Sequence, residues 1–196
     1  MAASLVPEQQ WDTDAVLTIP NVISFVRLLG IPTFCWLILI GQDTAAIILL
    51  AVFGATDWVD GYLARSLGQT SAFGAFLDPV ADKLMVAAAL IVLVHLGRVD
   101  SLIALVIIGR EITISALREW MAKVGAAGSV AVAFVGKLKT AAQMSAIPLL
   151  LYEAPVLGFD SIGLGTVLIY VAAVLTLWSM GYYMRCAWPE LAKRSR

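Results

Sequence analysis

Six apolar runs, near 21–41, 44–65, 74–97, 101–121, 135–153 and 162–186, occupy most of this 196-residue chain. A helix needs about 20 mainly apolar residues to cross a hydrocarbon core, where every backbone polar group must be paired within the segment. Each run meets that length. With 61% hydrophobic and 14% charged residues, the chain also lacks the polar surface that a soluble domain of this size requires. The connections are short, and no Gly/Ser-rich or Pro-rich linker, internal repeat or low-complexity tract interrupts them. The expected fold is therefore all-α: a single domain over residues 1–196, built as a polytopic six-transmembrane-helix bundle.

Residues 1–19 carry Glu8, Asp12 and Asp14 but no Lys or Arg, which does not match the basic start of a signal peptide, and they read as a mobile or interfacial leader. Cys35 and Cys186 fall on the first and last runs without a pair spacing, so they predict packing rather than a disulfide or thiolate site. A net charge of −1 singles out no partner, and no nucleic acid is expected. The placement of the thirteen basic residues is informative. With both termini cytoplasmic, every one except Arg98 falls at the cytoplasmic ends of the helices or in the cytoplasmic loops, whereas the opposite loops hold Asp43, Asp100, Glu153 and Asp160. That is the positive-inside bias.

Four aspartates, Asp57, Asp60, Asp78 and Asp82, stand within this apolar chain near the cytoplasmic side. Carboxylates at membrane depth are costly and mark function. Asp57 and Asp60 are i,i+3, Asp78 and Asp82 are i,i+4, and the short loop from Ser66 to Phe73 makes the two helices antiparallel neighbours. Four converging carboxylates would repel one another and take up protons unless cations neutralised them. All-oxygen ligation favours Mg²⁺ or Mn²⁺ over zinc, with Ca²⁺ chemically allowed, and four carboxylates suffice for two divalent cations about 4 Å apart, an arrangement that clamps a phosphoryl group. Gly61 and Ala64 leave room for a ligand against the helix, Arg65 supplies a cation for a phosphate oxygen, and Gly74 opens the next helix, where free N–H groups favour an anion.

Residues 57–82 read DWVDGYLARSLGQTSAFGAFLDPVAD. The stretch resembles the CDP-alcohol phosphotransferase signature, D-x-x-D-G-x-x-A-R-x8-G-x-x-x-D-x-x-x-D, at all eight fixed positions. The resemblance implies a membrane enzyme that moves a phosphatidyl-type group from a CDP-linked donor to an alcohol, with two divalent ions, and releases CMP. It implies that Asp57, Asp60, Asp78 and Asp82 hold the metals, that Asp82 is also the general base, and that Gly61, Ala64, Arg65 and Gly74 line the CDP pocket. PNVISFVRL is similar to a further family pattern, P-N-x-[LI]-T-x-x-R, with Ser24 in place of Thr, which brings Asn21, Ser24 and Arg27 toward the nucleotide. As cap and interfacial anchor, Asn21 and Arg27 need no such role.

The acceptor must be read elsewhere. Arg110 and Arg118 in GREITISALREWM, with Lys137 and Lys139 in VGKLKTAAQM, form a second basic cluster; Glu111 and Glu119 offer it a purely structural neutralisation, whereas convergence on an acceptor phosphate is the functional alternative. These segments and FGAFLDPVADKLMV resemble the bacterial branch of the family that uses sn-glycerol 3-phosphate, with CDP-diacylglycerol as donor. The same resemblance implies a homodimer in the bacterial cytoplasmic membrane, in contact with membrane lipid. Inositol-phosphate, serine or phosphatidylglycerol acceptors remain alternatives within the family. A cation transporter is the alternative from another class, but no acid in the outer halves of the helices continues an ion path. A scaffold stapled by internal charges would not require the eight-residue signature. His95, the single histidine, reads as an interfacial residue, and several tryptophans near helix ends as aromatic belts.

Overall fold

The computed structural model describes residues 19–67, 72–123, 134–152, 154–155, 158 and 160–194; the side chains of 19, 20, 57–67, 72, 75, 134–137, 186, 187 and 189–194 are outside that description. Six α-helices and no strand are present among the described residues: α1 Ile19–Leu39, α2 Asp43–Leu67, α3 Ala72–His95, α4 Ser101–Lys123, α5 Phe134–Leu151 and α6 Ser161–Arg194. The six apolar runs thus all fold as helices, with ends moved by a few residues. The exception is α6, whose 34 residues continue past its apolar run.

Side-chain capping explains where helices begin. Asp100 accepts from Leu102 N at 2.8 Å and starts α4, while Asp160 accepts from Ile162 N and Gly163 N at 3.2 and 3.0 Å and starts α6. Arg98 binds the other kind of terminus: its Nη1 donates to Leu150 O and Leu151 O, both at 3.0 Å, at the end of α5. Its Nη2 lies 3.7 Å from the Asp43 carboxylate at the start of α2. The acids and the lone arginine of this end therefore serve helix termini.

The helices form two groups. α1 packs on both α2 and α3, α6 packs on both α5 and α4, and α3–α4 contacts join the groups. α1, rather than a direct α2–α3 face, is thus the main partner of each metal-candidate helix among the described residues. Small residues set the closest approaches: a Cβ at Gly30 would fall 2.1 Å from Phe53 Cζ, and one at Gly165 would fall 2.8 Å from Leu150 Cγ. A shared apolar core, including Phe34, Phe53, Met85, Leu90, Leu93, Ile107, Ile147 and Leu150, closes the bundle toward the Arg98 end.

Outside that core the apolar surface continues. Leu29, Trp36, Ile48, Phe76, Ile91, Leu102, Leu105, Ile112, Val174 and Trp178 are exposed, whereas Asn21, Arg27, Arg110, Lys139, Gln143, Thr176 and Ser179 are buried. An apolar exterior around polar interior groups suits a lipid environment. Asn21–Leu39 and Ser161–Arg185 are long and apolar enough to cross a membrane. The chain reads as a membrane protein, with those two helices as its clearest spans.

Candidate active site

At the end opposite Arg98, α1 and α3 meet through polar side chains. Phe25 and Phe73 stack with centroids 5.7 Å apart, fixing the register of the two helices. One face of α1 then follows one face of α3: Ser24 Oγ donates to Asp78 Oδ1, and Arg27 Nη1 donates to Asp82 Oδ1 at 2.7 Å. Ser24 and Asn21 are buried, and Arg27 is only 2% exposed. Asn21 is the third residue of α1 rather than its cap, and Arg27 is an interior cation rather than an interfacial anchor. Asp82 keeps 47% of its side chain exposed, so a buried charge faces an open one. Gly74 is buried in the first turn of α3.

Asp78 and Asp82 therefore present carboxylate oxygens one helical turn apart. That donor set fits a hard divalent ion and does not suit a thiophilic one. Among the described residues no group of three or more His, Cys, Asp or Glu comes together. Asp57 and Asp60, the other half of the predicted set, lie on the part of α2 whose side chains are outside the described residues, as do Gly61, Ala64 and Arg65.

The basic cluster is assembled by α4, α5 and α6. Lys139 Nζ donates to Glu111 Oε1, and Arg110 Nη1 reaches the same oxygen at 3.3 Å. Arg110 Nη2 donates to Ser179 Oγ at 3.0 Å. Arg118 Nη2 donates to Tyr183 OH at 2.8 Å, and its guanidinium stands 4.9 Å from the Tyr183 ring centroid, with that of Arg110 at 5.6 Å. Tyr183, fully buried, thus holds two cations against one ring. Glu119 does not serve this cluster: it pairs at 2.8 Å with Lys123 on the exposed side of α4. Among the described residues Arg110 and Lys139 pair with the same carboxylate, Glu111, and Arg118 stands against Tyr183, an arrangement with more positive than negative charge that suits an anion. The side chain of Lys137 lies outside the described residues.

The two clusters share a cavity of about 280 Å³. Arg27, Asp82 and Lys83 line one wall, Glu111, Lys139, Thr140 and Gln143 another, and Leu50, Phe53, Met85 and Ile147 the apolar part. Among the described residues α5 makes few contacts with α2 and α3, and the cavity lies between the two helix groups above their shared core. Its volume is close to the lower end of ordinary ligand pockets, about 300 Å³, enough for a small molecule. Among the residues that sequence reasoning gave no site role, Tyr183 and Ser179 carry no motif signal, and Gln143 sits unassigned inside VGKLKTAAQM.

Comparison with known proteins adds the chemistry. The proteins named CDP-diacylglycerol--glycerol-3-phosphate 3-phosphatidyltransferase are similar over nearly the whole chain. That of Pseudomonas fluorescens is 48% identical over 187 residues, covering 92% of this chain and 95% of its own length. That of Yersinia enterocolitica is 45% identical over 181 residues, covering 89% and 97%, and that of Shigella flexneri 45% over 179 residues, covering 88% and 96%. The family model described as CDP-alcohol phosphatidyltransferase matches residues 17–178, a span that contains Ser24, Asp78, Asp82 and the Arg110–Lys139 cluster, and the chain belongs to this family of enzymes.

Proposed function

We propose that the chain transfers the phosphatidyl group of CDP-diacylglycerol to sn-glycerol 3-phosphate, yielding phosphatidylglycerophosphate and CMP. The observation that carries this reading is the single cavity lined both by Asp82 with Arg27 and by Lys139 with Glu111. An acid able to take a proton and a buried cation able to hold a phosphate face the same small space. The relatives' names, which specify this donor and acceptor, support the same reaction.

In this mechanism the acceptor phosphate binds at Lys139, with Arg110 and Arg118 adding positive charge behind it. Its terminal hydroxyl is then held toward Asp82, which takes the hydroxyl proton as the oxygen attacks the phosphorus bearing the diacylglycerol. The new bond is acceptor oxygen to phosphorus, the broken bond is the diphosphate P–O bond, and CMP leaves with that bridging oxygen. Arg27 steadies Asp82 through its 2.7 Å contact. Asp57, Asp60, Asp78 and Asp82 would hold two divalent cations, Mg²⁺ or Mn²⁺, which supply charge stabilisation for the diphosphate when bound. Asn21, Ser24, Gly61, Ala64, Arg65 and Gly74 belong to the donor side, and Lys137 joins the acceptor side.

The reading includes six membrane spans, both termini in the cytoplasm and a cavity opening to the cytoplasmic face of a bacterial inner membrane, as a homodimer. Charges needed for chemistry at the cavity end of α2 to α5 explain why these helices are less uniformly apolar than α1 and α6. Lipid tails then reach the site sideways from the bilayer while the acceptor arrives from water. The test is CMP release by the purified protein with CDP-diacylglycerol and Mg²⁺ or Mn²⁺, comparing glycerol 3-phosphate with inositol phosphate, serine and phosphatidylglycerol. Release with glycerol 3-phosphate alone, lost on chelation, is expected. Release with a different acceptor would overturn the assignment of the basic cluster.

A further inference from the structure

Gln143 is the buried polar residue of the cavity lining that the proposed chemistry leaves unused. It is 4% exposed, it lines the cavity, and its Oε1 is buried without a hydrogen-bond partner. A buried amide in that state costs stability unless something satisfies it. The two ends of a side-chain amide exchange places by rotation about the last torsion, so either can turn toward a ligand. The other buried polar side chains of the walls already hold carboxylates, Arg27 that of Asp82 and Lys139 that of Glu111.

Position identifies what Gln143 would meet. It follows Lys139 by four residues on α5, so the two side chains share a face and lie about 6 Å apart along the axis. The lining around it is mainly apolar, with Met85, Met144 and Ile147, and Thr140 stands one turn away on the same helix. An acceptor with its phosphate at Lys139 and its reacting hydroxyl at Asp82 spans the cavity, and any remaining hydroxyl falls between those anchors. We infer that Gln143 hydrogen-bonds the non-reacting hydroxyl of the acceptor and selects a phosphorylated polyol over an alcohol phosphate that lacks it. This rests on the proposed reaction and adds the residue that reads the middle of the acceptor. A site built to bond a hydroxyl discriminates against its absence, because the protein group is then left unpaired.

The experiment compares sn-glycerol 3-phosphate with 3-hydroxypropyl phosphate, which lacks only the middle hydroxyl, as acceptors for the wild type, Gln143→Leu and Gln143→Met. CMP release is measured with CDP-diacylglycerol as donor. The wild type is expected to favour glycerol 3-phosphate in kcat/KM on the order of tenfold, the value of one neutral hydrogen bond. In either variant the ratio should fall close to one, with the KM for CDP-diacylglycerol unchanged. A merely structural amide would lower both acceptors alike and keep the ratio. Equal use of the two acceptors by the wild type overturns the inference without any variant, and so does a wild-type ratio in either variant that folds. No wild-type turnover with glycerol 3-phosphate, but turnover with another acceptor, overturns the underlying reaction instead.

Discussion

At the residue scale, the two ion pairs of the cavity make different demands on their partners. Asp82 is half open and contacts a buried guanidinium, so Asp82→Asn keeps an oxygen to accept from Arg27 but loses the ability to take a proton. We expect CMP release to fall by about a hundredfold or more while thermal unfolding in detergent is unchanged; substantial residual turnover would remove Asp82 as the base. Lys139 is buried and Arg118 is exposed, so the two cations are not equivalent. Lys139→Ala should raise the acceptor KM by about tenfold or more and leave the donor KM alone, with a smaller effect for Arg118→Ala because solvent screens its charge. An equal rise for both would mean that the acceptor phosphate sits nearer the Tyr183 side. The placement of Asp78 and Asp82 one turn apart was legible because helix geometry fixes their spacing, while the side chains of Asp57 and Asp60 lie outside the described residues. Arg27 was legible as a motif position but not as a buried partner of Asp82, since its burial depends on the α1–α3 register set by Phe25 and Phe73. Tyr183 and Ser179 were not legible at all: they stand 65 and 69 residues from the arginines they hold, and no local pattern encodes that pairing.

At the element scale, hydropathy alone located all six helices, because apolar length is a property each segment carries by itself. Which helices touch was less accessible. The short α2–α3 connection predicted a direct pair; among the described residues α1 is the main partner of both, and on the α2 side Gly30 admits the Phe53 ring against the α1 backbone. Gly30→Ala places a methyl where that ring stands, at 2.1 Å, so either the ring or the helix must move. The expected cost is about 1–3 kcal/mol, read as faster thermal inactivation in detergent. Phe53→Leu should restore part of it in the double variant, whereas independent losses would place the strain elsewhere. Phe53 also lines the cavity, so turnover of the single variant should drop before unfolding begins. The outer acids follow the same logic. Asp160 caps α6 through two backbone N–H groups, and Asp160→Ala should destabilise by about 1 kcal/mol, with Asp160→Asn close to wild type. If the asparagine variant lost as much, charge rather than capping would be its contribution.

At the scale of the whole molecule, the chemistry and the membrane constrain one another. The polar contacts of the cavity end join the starts of α1, α3 and α5 to the later turns of α4 and α6, while Arg98 joins the start of α2 to the end of α5 at the opposite end. Such contacts require helices that alternate in direction, which is the arrangement that the proposed six spans with both termini on one side would need. The length of α6 adds a second constraint. Its apolar stretch ends near Arg185, but the helix continues to Arg194, and a hydrocarbon core of about 30 Å accommodates only about 20 residues of its 34. In the proposed topology the final turns project from the bilayer at the Tyr183 end, and the sequence there, with Lys193 and Arg194, agrees with the retention of basic residues on the cytoplasmic side. A reporter active only in the cytoplasm should work when fused after Arg196, and one active only outside should work when inserted in the turn between α3 and α4, at residues 97–100. The reverse pattern would turn the cavity away from the cytoplasm. A water-soluble phosphorylated acceptor made inside the cell could then not reach Lys139, so the proposed reaction and the proposed orientation stand or fall together on that measurement.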